Sequence, residues 1–238
     1  MIPDRWKLAA AAVLVAGLAG CASTGEAPAG APLAQAPKLE VGARWVYRGQ
    51  DGFNAPDTFQ ETVEVTAVGP AGIEVKVTRR GSSGDVVRHE SWAAPGRVLA
   101  GTLTGNETYR FSTPLERYRY PLYTGESWNQ WIDSYNETAR KAERINHYVR
   151  VGRWEKVSTP AGVVDAVRLR VLMQLGDEEF WRYQTMCNYA IWYAPAIGAA
   201  VREEKDCEYL EKGSQDSRTP VRTQHAIVDL IAYTPGKP

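Results

Sequence analysis

Histidine, methionine and cysteine are scarce in this chain of 238 residues, at three each, and phenylalanine stands at four. Each shortage excludes something. His89, His147 and His225 are isolated, with no His-x-x-x-His spacing and no cysteine pair in register, so no metal site is expected. Ser91 and Ser127 lack the Gly-x-Ser-x-Gly turn that exposes a nucleophile, and Gly81-Ser82-Ser83-Gly84 lacks the lysine of a phosphate loop. The runs Asp177-Glu178-Glu179 and Glu203-Glu204 read as solvated turns and edges. No enzymatic activity and no cofactor are therefore expected. Net charge is also absent: 28 basic residues balance 28 acidic ones without a basic run, which argues against a nucleic-acid partner. No apolar stretch is long enough to cross a bilayer as a helix.

What is present starts with the leader. Arg5 and Lys7 precede an apolar stretch from Leu8 to Leu18, too short to span a membrane, and the segment reads as a signal peptide. Leu18-Ala19-Gly20-Cys21 at its end resembles the lipobox of bacterial lipoproteins; the alternative is an ordinary secretory signal with a chance cysteine. The resemblance implies cleavage before Cys21, diacylglycerol on its sulfur and a palmitate-like chain on the new amino terminus. Each buried methylene contributes about 0.8 kcal/mol, so several chains hold the protein to the membrane. Ala22, where an aspartate would favour the inner membrane, implies an outer-membrane anchor with the domain facing the periplasm. Three segments are expected: a signal peptide over 1–20, a lipidated cysteine with an Ala/Pro-rich tether over 21–38, and one β-domain over 39–238. The tether has too few large apolar groups to offset the entropy of ordering.

Beyond the tether the dominant period is two. Val63, Val65 and Ala67 alternate with polar residues, Gly69 to Gly72 makes a turn, and Ile73, Val75 and Val77 alternate on the other side. A long segment alternates up to Val157, Pro160-Ala161-Gly162 breaks it, and Val163, Val167, Leu169, Val171, Met173 and Leu175 resume on odd positions. Helical spacing is weak and confined to Glu137–Arg144. The expected fold is all-β: a strongly curved antiparallel sheet or unclosed β-barrel built from two meander-like halves. Two halves are suggested because Gly42/Trp45, Pro70-Ala71-Gly72 and Trp92-Ala93-Ala94-Pro95 recur in order as Gly125/Trp128, Pro160-Ala161-Gly162 and Trp192-Tyr193-Ala194-Pro195, with convergence on common turn residues as the alternative.

Cys187 and Cys207 flank the Ala194–Gly198 turn. A hairpin pairing 193 with 201, 191 with 203 and 187 with 207 brings them face to face, provided one residue, at Gly198, is bulged. A disulfide then suits an oxidising periplasm, with two buried free thiols as the alternative.

The motifs Gly125/Trp128, Thr159 to Gly162 and Trp192 to Gly198 resemble those of uncharacterised bacterial envelope proteins. These in turn resemble the unclosed barrel of the LolA/LolB lipoprotein carriers. That resemblance implies a concave face for acyl chains, although no strongly apolar loop that would enter a membrane is visible here. Tyr109, Tyr118, Tyr120, Tyr123, Trp128 and Trp131 crowd one stretch and are the candidate ligand-binding residues; filling the core is their other role. Two functions are expected to compete. One is a non-catalytic lipoprotein binding a hydrophobic or amphipathic, lipid-like ligand. The other is an accessory subunit docking onto an envelope protein partner.

Overall fold

The period-two pattern becomes strand throughout. The computed structural model describes residues 32–82, 84–213 and 219–237; Cys21, the leader and the tether up to residue 31 lie outside the described residues. Among the described residues there are twelve strands and no helix. The first half contains β1 (Arg44–Asp51), β2 (Asp57–Gly69), β3 (Gly72–Gly81), β4 (Gly84–Ala94), β5 (Arg97–Thr102) and β6 (Thr108–Glu116). The second contains β7 (Ser127–Asn136), β8 (Lys141–Thr159), β9 (Gly162–Gln174), β10 (Met186–Ala194), β11 (Ala199–Tyr209) and β12 (Val221–Thr234). Each strand pairs antiparallel with its neighbours in sequence, and β12 returns to β1. The expected curved sheet of two meanders is thus present, and it closes into a barrel. Closure has a physical reason: a sheet with one apolar face and no helix to cover it can bury that face only against itself, and a closed ring leaves no unpaired edge.

The two halves begin alike. Gly42, at φ 84°, donates its N–H to the Val65 carbonyl at 2.8 Å, and Val65 donates back to Ala43 at 2.9 Å. Gly125, at φ 96°, donates to Val151 at 3.0 Å, and Val151 donates back to Glu126 at 2.8 Å. Both φ values lie in the left-handed region where a Cβ is disfavoured, which accounts for glycine at each start.

Three expectations shift in detail. In the β2–β3 hairpin Val63 faces Val77 and Val65 faces Val75, but the register slips at Thr66, whose hydroxyl donates to the Glu74 carbonyl. Ala67 and Val68 consequently turn to solvent instead of extending the buried face. In the β10–β11 hairpin the bulge falls on Val201, not Gly198: Ile191 pairs with Glu203 as expected, whereas Tyr193 pairs with Ala200. Gly198, at φ 71°, is needed to close the turn and donates to the Ala194 carbonyl, so the extra residue is absorbed within the ladder. Cys187 and Cys207 lie opposite each other with Cα atoms 4.1 Å apart and form a disulfide. Third, ordered contacts begin before Leu39. Ala34 is fully buried and exchanges two 2.9 Å hydrogen bonds with Leu122, so the last residues of the presumed tether belong to the domain.

The halves meet at two unequal seams. β12 and β1 pair along the whole of β1. β6 and β7 pair only from Tyr109 to Phe111, because Pro114 has no N–H to give the ladder. Gln130 on β7 stands in for the missing backbone: its amide donates to the Pro114 carbonyl at 2.9 Å and accepts from the Glu116 N–H at 2.9 Å.

The core forms two apolar clusters. One joins β5 and β6 to β7–β11, the other joins β1–β3 to the Val157 region and β12, and Trp92 touches both. The lumen lies between them.

Candidate functional site: a polar lumen

One rim of the barrel carries the Pro-Ala-Gly turns and the entering chain; the far rim carries the β1–β2, β5–β6 and β9–β10 connections. A cavity runs from Pro37, Gly96 and Gly198 near the first rim to Asp51 and Gly105 near the far one, with a volume of ≈ 190 Å³.

Its walls differ. β8, β9 and β10 contribute His147, Val171, Met173, Tyr189 and Ile191. The wall built by β1–β4 is charged, because Asp51, Glu61, Arg79, Arg88 and Glu90 occupy inward positions of strands whose other inward residues include Trp45, Tyr47, Phe59, Val63, Val77 and Trp92. Arg79 stacks over the Phe59 ring at 3.5 Å, and Phe59 in turn rests on Gly49, where a Cβ would fall 2.1 Å from the ring. Arg88 donates from Nη2 to Glu61 at 2.8 Å, and its Nε stands 3.9 Å from Glu90 Oε1. Nε and Nη1 of Arg88 are buried without a hydrogen-bond partner. Glu90, 5 % exposed, accepts from the Trp92 indole at 3.0 Å and lies 3.7 Å from Arg117 Nη2. Gly101 leaves room for this carboxylate: a Cβ there would sit 3.1 Å from it.

Burial works against the Arg117 charge, and Glu90 outweighs it together with Tyr118 and Glu203, so the guanidinium pKa is raised. Burial also pushes Glu203 upward, yet its ion pair with Lys205 at 2.5 Å holds the carboxyl below its ordinary value. Glu203 therefore belongs to the lumen, not to the solvated edge expected from its neighbour Glu204. His147 is buried with no hydrogen-bond partner at Nδ1, and burial followed by the Arg117 charge lowers its pKa to about 4. Among the described residues no group of three or more His, Cys, Asp or Glu could hold a metal ion.

The aromatic stretch named from sequence is divided. Tyr118 and Tyr120 line the lumen and pack on Tyr193, with ring centroids 4.8 and 5.8 Å from it. Tyr109 is core, stacked on Phe111 and donating to Glu107 at 2.6 Å. Tyr123 is buried away from the cavity lining. Trp128 is buried with its indole donating to the Glu116 carbonyl at 2.9 Å. Trp131 is 53 % exposed beneath Arg144. Sequence reasoning missed Arg88, Glu90 and Arg117. For the first two a signal was available: a charge in the apolar phase of a strand must face inward.

The β9–β10 connection is a second feature. Asp177, expected in a solvated turn, organises it by accepting from Arg182 Nη2 at 2.9 Å and from the Thr185 N–H and hydroxyl at 2.7 Å. The loop so fixed displays Phe180, 90 % exposed, beside the exposed Trp181 and Tyr183. An aromatic tip is thus exposed there, flanked by the charged Glu178, Glu179 and Arg182.

No protein-family model and no curated protein matches the chain. Among solved structures it is similar to a protein of Bacteroides fragilis, described as exported and of YmcC-like fold. The TM-score is 0.49 at 13% identity, covering 84% of this chain and 99% of that one. It is also similar to a protein of Parabacteroides distasonis described as a lipoprotein, with TM-score 0.43, 14% identity, and 83% and 97% covered. A third is the hypothetical lipoprotein YmcC of Escherichia coli, with TM-score 0.43, 8% identity, and 81% and 85% covered.

Proposed function

We propose that this chain is a lipid-anchored protein of the cell envelope whose barrel holds a small amphipathic molecule without transforming it. The anchor rests on Leu18 to Cys21, and Ala22 favours the outer membrane with the domain facing the periplasm. The observation that carries the ligand is the lumen itself, a cavity of ≈ 190 Å³ with an apolar wall and a charged one. Such a two-sided interior suits a molecule with a tail and a head. A non-catalytic role is supported by the engagement of the inward carboxylates. Glu61, Glu90 and Glu203 each meet an Arg, Lys or Trp donor, and His147 is too weak a base near neutral pH to take a proton readily.

The test is mass spectrometry of small molecules released from protein purified natively from envelopes, alongside palmitate labelling of the wild type and of Cys21→Ser. Amphiphile carried in stoichiometric amount, with label lost in the variant, is the expected result. Protein that carries none and still takes up apolar probe nowhere would end the carrier reading, and a labelled Cys21→Ser would end the assignment of the anchor.

The protruding tip favours a second reading, docking onto an envelope protein partner through Phe180, Trp181 and Tyr183. The tip stands at the rim opposite the one where Ala34 enters. Crosslinking in cells from position 180, compared with position 163 at the other rim, separates this reading from the first.

A further inference from the structure

Ligand class is read from the hydrogen-bond inventory of the lumen, given the proposed reading of that lumen as a ligand cavity. Its acceptors are largely engaged. Glu61 takes Arg88 Nη2, one Glu90 oxygen takes the Trp92 indole, and the other lies 3.5 Å from the Thr102 N–H. Its donors are not. Arg88 keeps Nε and Nη1 buried and unbonded, and Arg117, 28 % exposed and lining the lumen, meets Glu90 at 3.7 Å and the Trp92 ring at 5.9 Å. Both guanidinium groups meet the same carboxylate, Arg88 at Oε1 and Arg117 at Oε2; Arg88 is enclosed there, and Arg117 is the more exposed of the two. A buried N–H without a partner costs roughly 1–3 kcal/mol. A guanidinium edge is matched best by a planar or tetrahedral oxyanion that accepts two parallel hydrogen bonds.

We propose that the lumen takes an amphiphile with an oxyanion head, a carboxylate or a phosphate, seated against Arg117 where it meets the Arg88–Glu90 pair. The tail then lies along Val98, Leu115, Val171 and Ile191, which line the same cavity. Size limits the tail. A single water needs about 10–15 Å³ of such space, so ≈ 190 Å³ accommodates a molecule of medium chain length, not a full phospholipid. Arg117 confers the head selectivity because its charge is held by surrounding carboxylates while part of its side chain stays exposed; Arg88 acts behind it by engaging Glu61 and Glu90.

The experiment compares decanoate, decyl phosphate and decanol on full-length protein in nanodiscs, with empty nanodiscs subtracting partition into lipid. Acetate and inorganic phosphate serve as headgroups without a tail. Decanoate or decyl phosphate should bind at least tenfold more tightly than decanol, and whichever of the two prevails identifies the source of the oxyanion. In Arg117→Gln that preference should fall to threefold or less. The paired exchange Glu61→Gln/Arg88→Met, which removes both partners of one ion pair and leaves Glu90 its contact with Arg117, should lower it as well.

Equal binding of decanoate and decanol overturns the oxyanion head while leaving the carrier reading intact. Binding of none of the three amphiphiles removes the carrier reading itself. A preference that survives in both variants places the head elsewhere and overturns the assignment to Arg88 and Arg117. Acetate or phosphate binding as tightly as the ten-carbon ligands would make the site one for a small anion and overturn the tail.

Discussion

The two halves of the barrel share a strand plan and differ in what they turn inward. Strands β4 and β10 occupy equivalent places, and their sequences align at Trp92-Ala93-Ala94-Pro95 and Trp192-Tyr193-Ala194-Pro195. Yet β4 presents the even positions Arg88, Glu90 and Trp92 to the lumen, whereas β10 presents the odd positions Tyr189 and Ile191. The residues aligned with Arg88 and Glu90 are Asn188 and Ala190, outside that lining. A slip of one residue exchanges the two faces of a strand, so a repeated sequence need not repeat its interior. The lesson is that turns recurring in both halves of a barrel are kept by local backbone demands, while each half remains free to build a different wall.

The most severe way to break this asymmetry is to empty the charged wall. Arg88→Ala strands Glu61 and leaves Glu90 with Arg117 as its one cationic partner, and should cost about 3–5 kcal/mol in urea unfolding. Adding Glu61→Gln should recover part of that loss, giving a coupling of roughly 0.5–3 kcal/mol in a double-mutant cycle; strict additivity would mean the pair does not act as a unit. On the apolar wall Met173→Ala should cost about 2–5 kcal/mol through the cavity it leaves, and Glu61→Gln should not rescue it.

The second half alone is stapled. Thiol trapping without reductant should leave Cys187 and Cys207 both blocked, and replacing both by alanine should cost about 3 kcal/mol in the chain-entropy account of a loop of this length. Two thiols that react freely would remove the staple from the comparison.

Acid tests the contact between the walls, since His147 on β8 feels Arg117. An unfolded chain protonates this imidazole near pH 6.5, whereas the folded one, desolvated first and repelled by Arg117 second, resists until about pH 4. Protonation then favours the unfolded chain. The contribution is intact above about pH 6.5 and falls by up to roughly 3 kcal/mol on the way to pH 4. His147→Leu should remove that part of the pH dependence of the unfolding midpoint; an unchanged slope would assign the acid sensitivity to other groups.

The smallest expected effect is at the weak seam. Gln130→Leu leaves the Pro114 carbonyl and the Glu116 N–H without their partner and should cost about 1–2 kcal/mol. Hydrogen exchange should accelerate in β6 and β7 but not in β12 and β1, and uniform acceleration would show that the seams open together.

Much of the fold was legible in the chain. Val63 and Val65, Ile73 to Val77, and Val167 to Val171 alternate strictly with polar residues, and glycines stand where the backbone needs a positive φ, at Gly72 and Gly162. Cys187 and Cys207 could be paired by counting outward from a turn. The site was less legible. Tyr118 and Tyr120 were named, but Tyr109, Tyr123, Trp128 and Trp131 share their stretch of sequence without sharing the cavity, because the connection between β6 and β7 disperses them. Asp177 was missed as the hub of its loop because its partners Arg182 and Thr185 meet it only once the loop has folded.

By itself the sequence determined which residues alternate, where the turns fall and which cysteines oppose each other, because these depend on neighbours a few positions away. Only the tertiary structure decided that the sheet closes, that Arg88, Glu90 and Arg117 converge, and that β4 and β10 turn opposite phases inward. Alternation defines two faces of a strand without saying which is inside. That choice is made by bulges such as the one at Val201 and by the closure of β12 on β1, both properties of the ring as a whole.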